Sequence, residues 1–340
     1  MIEIDGNYLE GGGQVLRTAT SLAAITKKDC RVFNIRKNRP NPGLKPQHLL
    51  GLRALSQLSG GKLEGDFLKS DNIRFFPGQI KNQGLHIRIE TAGSITLVLQ
   101  TLIPPALLAP EPISIFFRGG ATDTFFSPTI DYFRYVFLKI LEKIGGRVEI
   151  NIMKRGYYPE GGAEVKVKIY PSKLKTLNLL ERGGLKKVLA ISGAAEVLQN
   201  KKVAERQLAG VREIFSQLKL SIEERVGYYK TQCPGSQICL TAEFQNTVIG
   251  TDNLGKLGKR AEDVGREAAL ELLEEQKSDT CLDKHLADQI LPYMALGQGK
   301  SSVRVSKVTN HTKTNIWVIE KFLEGKFEIN DNIITWTPKV

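Results

Sequence analysis

Apolar side chains recur along this chain at two spacings, and the order in which the spacings alternate predicts its elements. Residues 2–4 read as a short strand, and after a break at Gly11-Gly12-Gly13 the apolar positions of residues 14–25 take helical spacing. A second strand is expected over 30–35. After the turn at P-N-P-G, residues 40–43, an amphipathic helix carries Leu49, Leu52, Leu55 and Leu58 and stops at Gly60-Gly61. Two strands close the unit. The order then repeats: strand 85–90, a break at Gly93, helix 94–108, strand 113–117 and helix 127–144, stopping at Gly145-Gly146.

The repetition is visible in letters as well as in pattern. S-G-G-K-L-E at 59–64 is echoed by I-G-G-R-V-E at 144–149 and more weakly by E-G-K-F-E at 324–328. The fold class expected is therefore α/β (α+β), built from three βαβαββ units whose helix layers pack together and bury what one unit alone cannot. The third unit is interrupted. A strand at 188–192, a helix at 202–218, strands near 220–224 and 237–243 and a helix at 261–275 predict a small inserted α/β domain over 181–276. Residues 1–180 and 277–340 then form the three-repeat core.

Near the C-terminus, residues 301–308 alternate around Val303 and Val305, whereas Ile316, Ile319, Phe322 and Leu323 follow a helix. His311 falls at that handover, with Thr312 or Thr314 expected as the cap. A helix N-terminus favours bound anions and a neutral imidazole, and a neutral imidazole can attack phosphorus. The competing role is that of a capping or core histidine.

Composition narrows the class. The 340 residues are 41% hydrophobic, enough for one large or two ordinary domains. No apolar run reaches membrane-spanning length and the first residues lack a signal-peptide pattern, so a cytoplasmic location is expected. Cys30, Cys233, Cys239 and Cys281 fit neither a zinc nor a disulfide spacing. Lysine plus arginine exceed the acids by 48 to 36, and the net charge of +12 suits a polyanionic partner, although a lysine-rich solubilising surface gives the same total.

Two stretches carry the candidate chemistry. Y-L-E-G-G-G-Q-V-L-R, residues 8–17, is a glycine-rich turn into a helix, where Glu10 could hold a divalent metal against phosphate oxygens and Arg17 lies in the first turns. It matches neither standard nucleotide motif. I-R-K-N-R-P-N-P-G-L-K-P-Q-H, residues 35–48, sets Arg36, Lys37, Arg39 and Lys45 around a proline-stiffened loop suited to a phosphate ester or a nucleic-acid end. A plain solvated loop is the alternative. Gln100 is an amide in an apolar helix, placed to read a base or to satisfy a core carbonyl. Asp283 and Asp288 lie on a helix, where a surface role is expected. The four histidines, His48, His86, His285 and His311, form no serine-histidine-acid or H-E-x-x-H pattern.

Taken together, E-G-G-G-Q-V-L-R (10–17), N-P-G-L-K-P-Q-H (41–48), A-G-S-I-T-L-V-L-Q (92–100), R-G-Y-Y-P-E-G-G-A (155–163), L-A-D-Q (286–289) and H-T-K-T-N (311–315) resemble the RNA 3′-terminal phosphate cyclase family, in its catalytically active branch. The resemblance spans nearly the whole chain in order. It implies three core repeats like the C-terminal domain of a bacterial translation initiation factor, on an enolpyruvyl-transferase-like plan, with a small inserted domain. It further implies ATP-dependent conversion of an RNA 3′-phosphate to a 2′,3′-cyclic phosphodiester through a histidine-AMP intermediate, for which the matching residue is His311. Glu10 matches the metal-binding acid, for Mg²⁺ or Mn²⁺. Arg17, Arg36, Arg39 and Gln47 match the groups around the RNA phosphate, and Gln100, His285, Leu286, Ala287, Asp288 and Gln289 match the ATP-binding positions.

Two departures stand out: Ala163 replaces a third glycine of the signature, and His285 replaces a tyrosine frequent in bacterial relatives, which bears on the adenine contact. The partners implied are ATP and RNA 3′ ends bearing a phosphate, with no membrane; a homodimer is compatible. The rival readings are a non-catalytic RNA-binding or ribosome-assembly relative, which would lack the histidine, and an enolpyruvyl transferase.

Overall fold

The structure is a computed structural model that describes residues 1–9, 11–81, 83–216, 221–277 and 279–339. The first unit runs β1 (Ile2–Asp5), α1 (Gly13–Thr26), β2 (Cys30–Phe33), α2 (Pro46–Ser59), β3 (Lys62–Glu64) and β4 (Ile73–Phe76). Its sheet has the order β1-β2-β4-β3, with β1 and β2 parallel and the other pairs antiparallel. Helix α2 ends as its sequence predicts, because Gly60 takes φ +58°, a left-handed conformation that side chains disfavour. Leu52, Leu55 and Leu58 are buried, each contributing about 1.5–3 kcal/mol relative to exposure.

The second unit repeats that topology. It consists of β5 (Leu85–Ser94), α3 (Ile95–Leu107), β6 (Ile113–Ala121), α4 (Ile130–Tyr132), α5 (Leu138–Lys143), β7 (Arg147–Lys154) and β8 (Glu164–Tyr170), in the order β5-β6-β8-β7. Two details differ from the pattern. Gly93 does not break the strand, which continues to Ser94, and Ser94 caps α3 by accepting from Leu97 N at 3.2 Å. The helix expected over 127–144 begins at Ile130, and a π-helical stretch, Phe133–Phe137, separates α4 from α5. Phe137 lies edge-on to Tyr293 at 5.7 Å.

The third unit opens with β9 (Asn178–Leu179) and resumes at α8 (Lys284–Leu296), β14 (Ser301–Arg304), α9 (Asn310–Phe322), β15 (Gly325–Asn330) and β16 (Ile333–Pro338). Its order, β9-β14-β16-β15, is again first, second, fourth, third. Between β9 and α8 lie β10 (Leu185–Ala195), α6 (Val203–Ser216), β11 (Ile222–Tyr229), β12 (Ser236–Phe244), β13 (Val248–Leu254) and α7 (Ala261–Lys277). These strands form a separate sheet, β11-β10-β12-β13, and β13 is one strand more than the sequence pattern predicts. The sheet and α6 and α7 enclose an apolar cluster of their own. The three core units share another, in which α1 packs against α2, α3 and α9.

A buried ion cluster fastens the inserted sheet to the second unit. Arg155, which follows β7, reaches Asp123 at 2.9 Å and Asp131 at 2.6 Å, and all three are buried. Its guanidinium lies 4.8 Å from the Tyr229 ring of β11, and the Gln237 amide of β12 meets both Arg155 and the Tyr157 hydroxyl. Removing the cation would leave two carboxylates buried without a counter-charge. Arg155→Ala is therefore expected to cost about 3–5 kcal/mol, read as a lower urea midpoint by circular dichroism. A loss under about 1 kcal/mol would show that water reaches the cluster.

Candidate active site

Helix α9 begins one turn earlier than the expected caps suggest. Thr309 is the cap: its hydroxyl accepts from Thr312 N at 3.1 Å, while Thr312 Oγ1 accepts from Thr309 N at 3.3 Å. Thr314 instead turns its hydroxyl back to Asn310 O at 2.7 Å. His311 thus stands in the first turn of α9, and its Nδ1 meets the side-chain oxygen of Gln14 in α1. The Gln14 amide nitrogen donates to Asp288 Oδ2 at 2.6 Å. Because that carboxylate takes the amide N–H, the Gln14 oxygen must face the imidazole. Nδ1 then carries a proton, and in the neutral ring the lone pair lies on Nε2.

Asn315 holds this arrangement from beneath. Its Nδ2 donates to Asp288 O at 2.7 Å and its Oδ1 accepts from Thr18 at 2.7 Å, so α1, α8 and α9 are joined below the imidazole. Above it lies the glycine turn. A Cβ on Gly12 would sit 3.6 Å from both His311 Cε1 and Arg39 Nη2, which brings the basic loop to the histidine. The α1 N-terminus has no side-chain cap. Tyr8, just before the turn, stacks on Trp317 of α9 with ring centroids 4.2 Å apart.

The close approach of Gly13 to His48 is strict, since a Cβ there would fall 2.2 Å from His48 Nε2. His48 is buried and its Nδ1 accepts from Lys45 N at 3.2 Å, as a neutral ring does. Burial, reinforced by Arg17, Arg36 and Lys45, pushes its pKa down to about 3. Arg36 is buried as well and does not extend into solvent: with φ +56° it donates to Asn41 O at 2.6 Å and Gly43 O at 3.1 Å, closing the loop that presents Arg39. Burial and the nearby Arg39 lower its pKa. Gln47 lies further off, its Cβ 3.7 Å from the Cβ position of Gly93 at the end of the second sheet.

On the other side of Gln14 from His311 opens a narrow cleft of about 30 Å³ lined by Gln14, Arg17, Gln100, Asp288, Gln289 and Asn315 among others. Burial pushes the Arg17 guanidinium down to about 10, partly offset by Asp288, and lifts Asp288 to about 7 against His285 and Arg17. Gln100 Nε2 donates to Gln289 Oε1 at 3.1 Å, and Gln289 donates to His285 O at 2.9 Å. The His285 ring is exposed and lies 3.6 Å from Glu271. Desolvation would lower its pKa, but Glu271 and Asp283 outweigh that and raise it.

Leu286 and Ala287 are fully buried in the core, with their amides taken up in the first turn of α8, so they anchor the helix that carries Asp288 and Gln289. The surface role expected for Asp283 and Asp288 needs correction. The acids are not surface groups. Asp283 is the buried cap of α8, accepting from His285 N at 3.0 Å, Leu286 N at 2.9 Å and the Tyr132 hydroxyl at 2.6 Å. Asp288 lines the cleft. Glu10 lies outside the described residues, and among the described residues no group of three His, Cys, Asp or Glu side chains could hold a metal.

Gln14 is the residue that the sequence pattern leaves without a role. Its one signal is an amide among Val15, Leu16 and Ala19 on the buried side of α1.

The sequence profile described as RNA 3′-terminal phosphate cyclase matches residues 8–329. The RNA 3′-terminal phosphate cyclase of Pyrococcus furiosus is 43% identical over 98% of this chain and 96% of its own length. That of Sulfolobus acidocaldarius is 42% identical over 97% of each. A solved enolpyruvyl transferase, NikO from Streptomyces tendae, has 8% identity and a TM-score of 0.23 over 99% of this chain and 81% of that one, a likeness too slight to bear on fold or function. With a family profile covering nearly every element described above and relatives that share more than two-fifths of its residues end to end, the chain belongs to the RNA 3′-terminal phosphate cyclase family.

Proposed function

We propose that the protein converts an RNA 3′-terminal phosphate to a 2′,3′-cyclic phosphodiester at the expense of ATP, with His311 as the nucleophile. The observation that carries this reading is the Gln14 amide, which gives the His311 Nδ1 the proton and leaves the lone pair on Nε2. Nε2 attacks the α-phosphorus of ATP; a P–N bond forms, the bond to the β-phosphate oxygen breaks, and pyrophosphate leaves. Arg17, Gln100, Asp288 and Gln289 border the cleft across Gln14 from the ring, which supports that cleft as the nucleotide site. His285 stands one turn before Gln289 on α8 with its ring exposed, and we assign that ring as the candidate neighbour of the base.

An oxygen of the RNA 3′-phosphate then attacks the adenylyl phosphorus, the P–N bond breaks, and a phosphoanhydride joins AMP to the RNA. Arg39, beside His311, is the cation we assign to that phosphate; Arg36 keeps its loop closed, and Gln47 extends the surface toward the second sheet. Finally the adjacent 2′-hydroxyl attacks the RNA phosphorus and AMP departs. That closure is intramolecular, with an effective molarity of about 10⁵ M or more in favourable cases, so little base catalysis is required.

A divalent ion, Mg²⁺ or Mn²⁺, would neutralise charge on the nucleotide phosphates; Glu10 is the carboxylate we assign to it, by resemblance alone. Residues 1–180 with 277–340 are taken as the catalytic core and 181–276 as the inserted domain, a division supported by the separate apolar cluster.

His311→Ala is expected to abolish protein-bound label from α-labelled ATP while leaving the circular dichroism spectrum unchanged. Normal labelling of the folded variant would sink the assignment. The order of steps has its own test, since an RNA with a 3′-phosphate and a 2′-O-methyl group can be activated but cannot cyclise. Labelled adenylylated RNA should accumulate with that substrate, whereas the unblocked RNA should yield cyclic phosphate and free AMP. Cyclisation that passes through no RNA-bound AMP would contradict the scheme.

A further inference from the structure

The outer faces of the three core sheets differ in how their charges are met. On the first sheet each cation has a carboxylate: Arg31 reaches Glu3 at 3.0 Å, Lys62 reaches Glu64 at 2.9 Å and Arg74 reaches Glu64 at 3.8 Å. On the second sheet, Arg147 reaches Glu149 at 2.8 Å, and Lys168 faces the same carboxylate across β7 and β8. Arg118 and Lys166 form no ion pair within 4 Å among the described residues, and Arg88 meets Glu90 only at 3.9 Å with both side chains about 80% exposed. Arg88 and Arg118 are direct neighbours on parallel strands, with Glu164 opposite Arg118 on β8.

Aromatic surface lies among these charges. Along β6 the alternation places Ser114, Phe116 and Arg118 outward, opposite the buried Ile115 and Phe117. The Phe116 ring is half-exposed, with the His86 edge 5.9 Å from its centroid and Lys166 Nζ 6.0 Å away. A shallow hollow of about 410 Å³ runs over His86, Phe116, Glu149, Asn151, Lys166 and Lys168. A half-exposed ring among cations on an open sheet is what a single strand needs: bases stack, phosphates meet charge, and no base edge has to be read.

The second sheet also runs toward Gln47, a residue that the proposed function sets near the RNA phosphate. The end of β5 lies against Gln47 at Gly93, and Arg88 is five residues back along that strand, roughly 16 Å at about 3.3 Å per residue.

We propose that the outer face of the second sheet is the track for the single-stranded RNA that leads to the 3′-phosphate, with Phe116 and His86 as the stacking surface and Arg88, Arg118, Lys166 and Lys168 meeting its backbone. This rests on the reading that RNA is the substrate, and it adds where the chain upstream of the reacting end is held.

The test is a binding measurement that needs no turnover. Fluorescence anisotropy of a labelled single strand of about 12 nucleotides ending in a 3′-phosphate is followed without ATP, at several salt concentrations. The double substitution Lys166→Glu and Lys168→Glu should raise Kd about 10-fold or more and reduce the slope of log Kd against log salt by about 1.4, because two phosphates of the strand are no longer neutralised. Phe116→Ala should raise Kd about 5-fold or more without changing that slope. Protein labelling by α-labelled ATP should stay at the wild-type level in both, since neither touches the nucleotide cleft.

Unchanged affinity in both variants, or no binding by the wild type, overturns the track. Equal binding of a duplex of the same length overturns the stacking surface. If sedimentation finds a wild-type dimer that the double substitution splits while RNA affinity holds, the face belongs to a second copy of the chain and the proposal fails. A wild type that binds RNA on this face but never takes label from ATP would spare the track and remove the His311 assignment instead.

Discussion

Everything at the candidate site depends on one amide, Gln14, bridging a histidine 297 residues away and a carboxylate 274 residues away in sequence. No unit of the fold contains that bridge. Gln14 comes from the first helix of the first repeat, Asp288 and His311 from the two helices of the third. The three meet only because α1 packs against α9 and α8 against α9 in the shared core. The hydrophobic effect brings the units together without regard to direction. The hydrogen bonds of Gln14, Asn315 and Thr18 then choose one register for the helix ends. A single neutral hydrogen bond contributes only about 0.5–1.5 kcal/mol to stability, so the gain here lies in orientation, through the fixed imidazole tautomer.

What was legible in the sequence is what local physics dictates. Helix stops at Gly60 and Gly145 follow from left-handed backbone, with φ +58° and +94°. The echoed glycine stretches fall at one topological place, just before the third strand of each unit: Lys62–Glu64, Arg147–Lys154 and Gly325–Asn330. The same holds for the glycine turn at the first helix. Its residues admit neighbours that a Cβ would exclude, with His48 at Gly13 the clearest case. The inserted sheet was mostly visible because β10 and β12 are near-continuous apolar runs buried on both faces, although Val248–Leu254, close behind β12, was not predicted.

Other features were set by distant partners and so left little local trace. Thr309 and Thr312 are both competent caps, and which one caps depends on how the chain leaves β14. Asp283 and Asp288 resemble surface acids on a helix until Tyr132, Gly250 and Gln14 are placed against them from elsewhere. The π-helical stretch at Phe133–Phe137 belongs to the same class, since only the aromatic packing of Phe137 on Phe133 and Tyr293 marks it. Arg155 stands in a motif quoted for family likeness, yet its two buried partners, Asp123 and Asp131, lie in separate segments before it.

Three titratable groups near His311 share one direction of shift, whereas His285 on the outer side of α8 is shifted toward its charged form. Arg17 is pushed down to about 10, His48 to about 3, and Asp288 up to about 7, each chiefly by burial and each toward its uncharged form. Such a site holds charge at a cost, and a phosphate group would offset that cost at Arg17. His48 responds differently. The cations around it hold it neutral, so it packs against Gly13 and leaves the anion to the arginines. Asp288 sits at the balance point: ionised, it accepts from Gln14 and fixes the His311 tautomer, and a nucleotide bound beside it would push its pKa higher still. Under the proposed mechanism the site is best organised when Arg17, which lines the cleft together with Asp288, takes up the charge of the phosphates and leaves that carboxylate ionised.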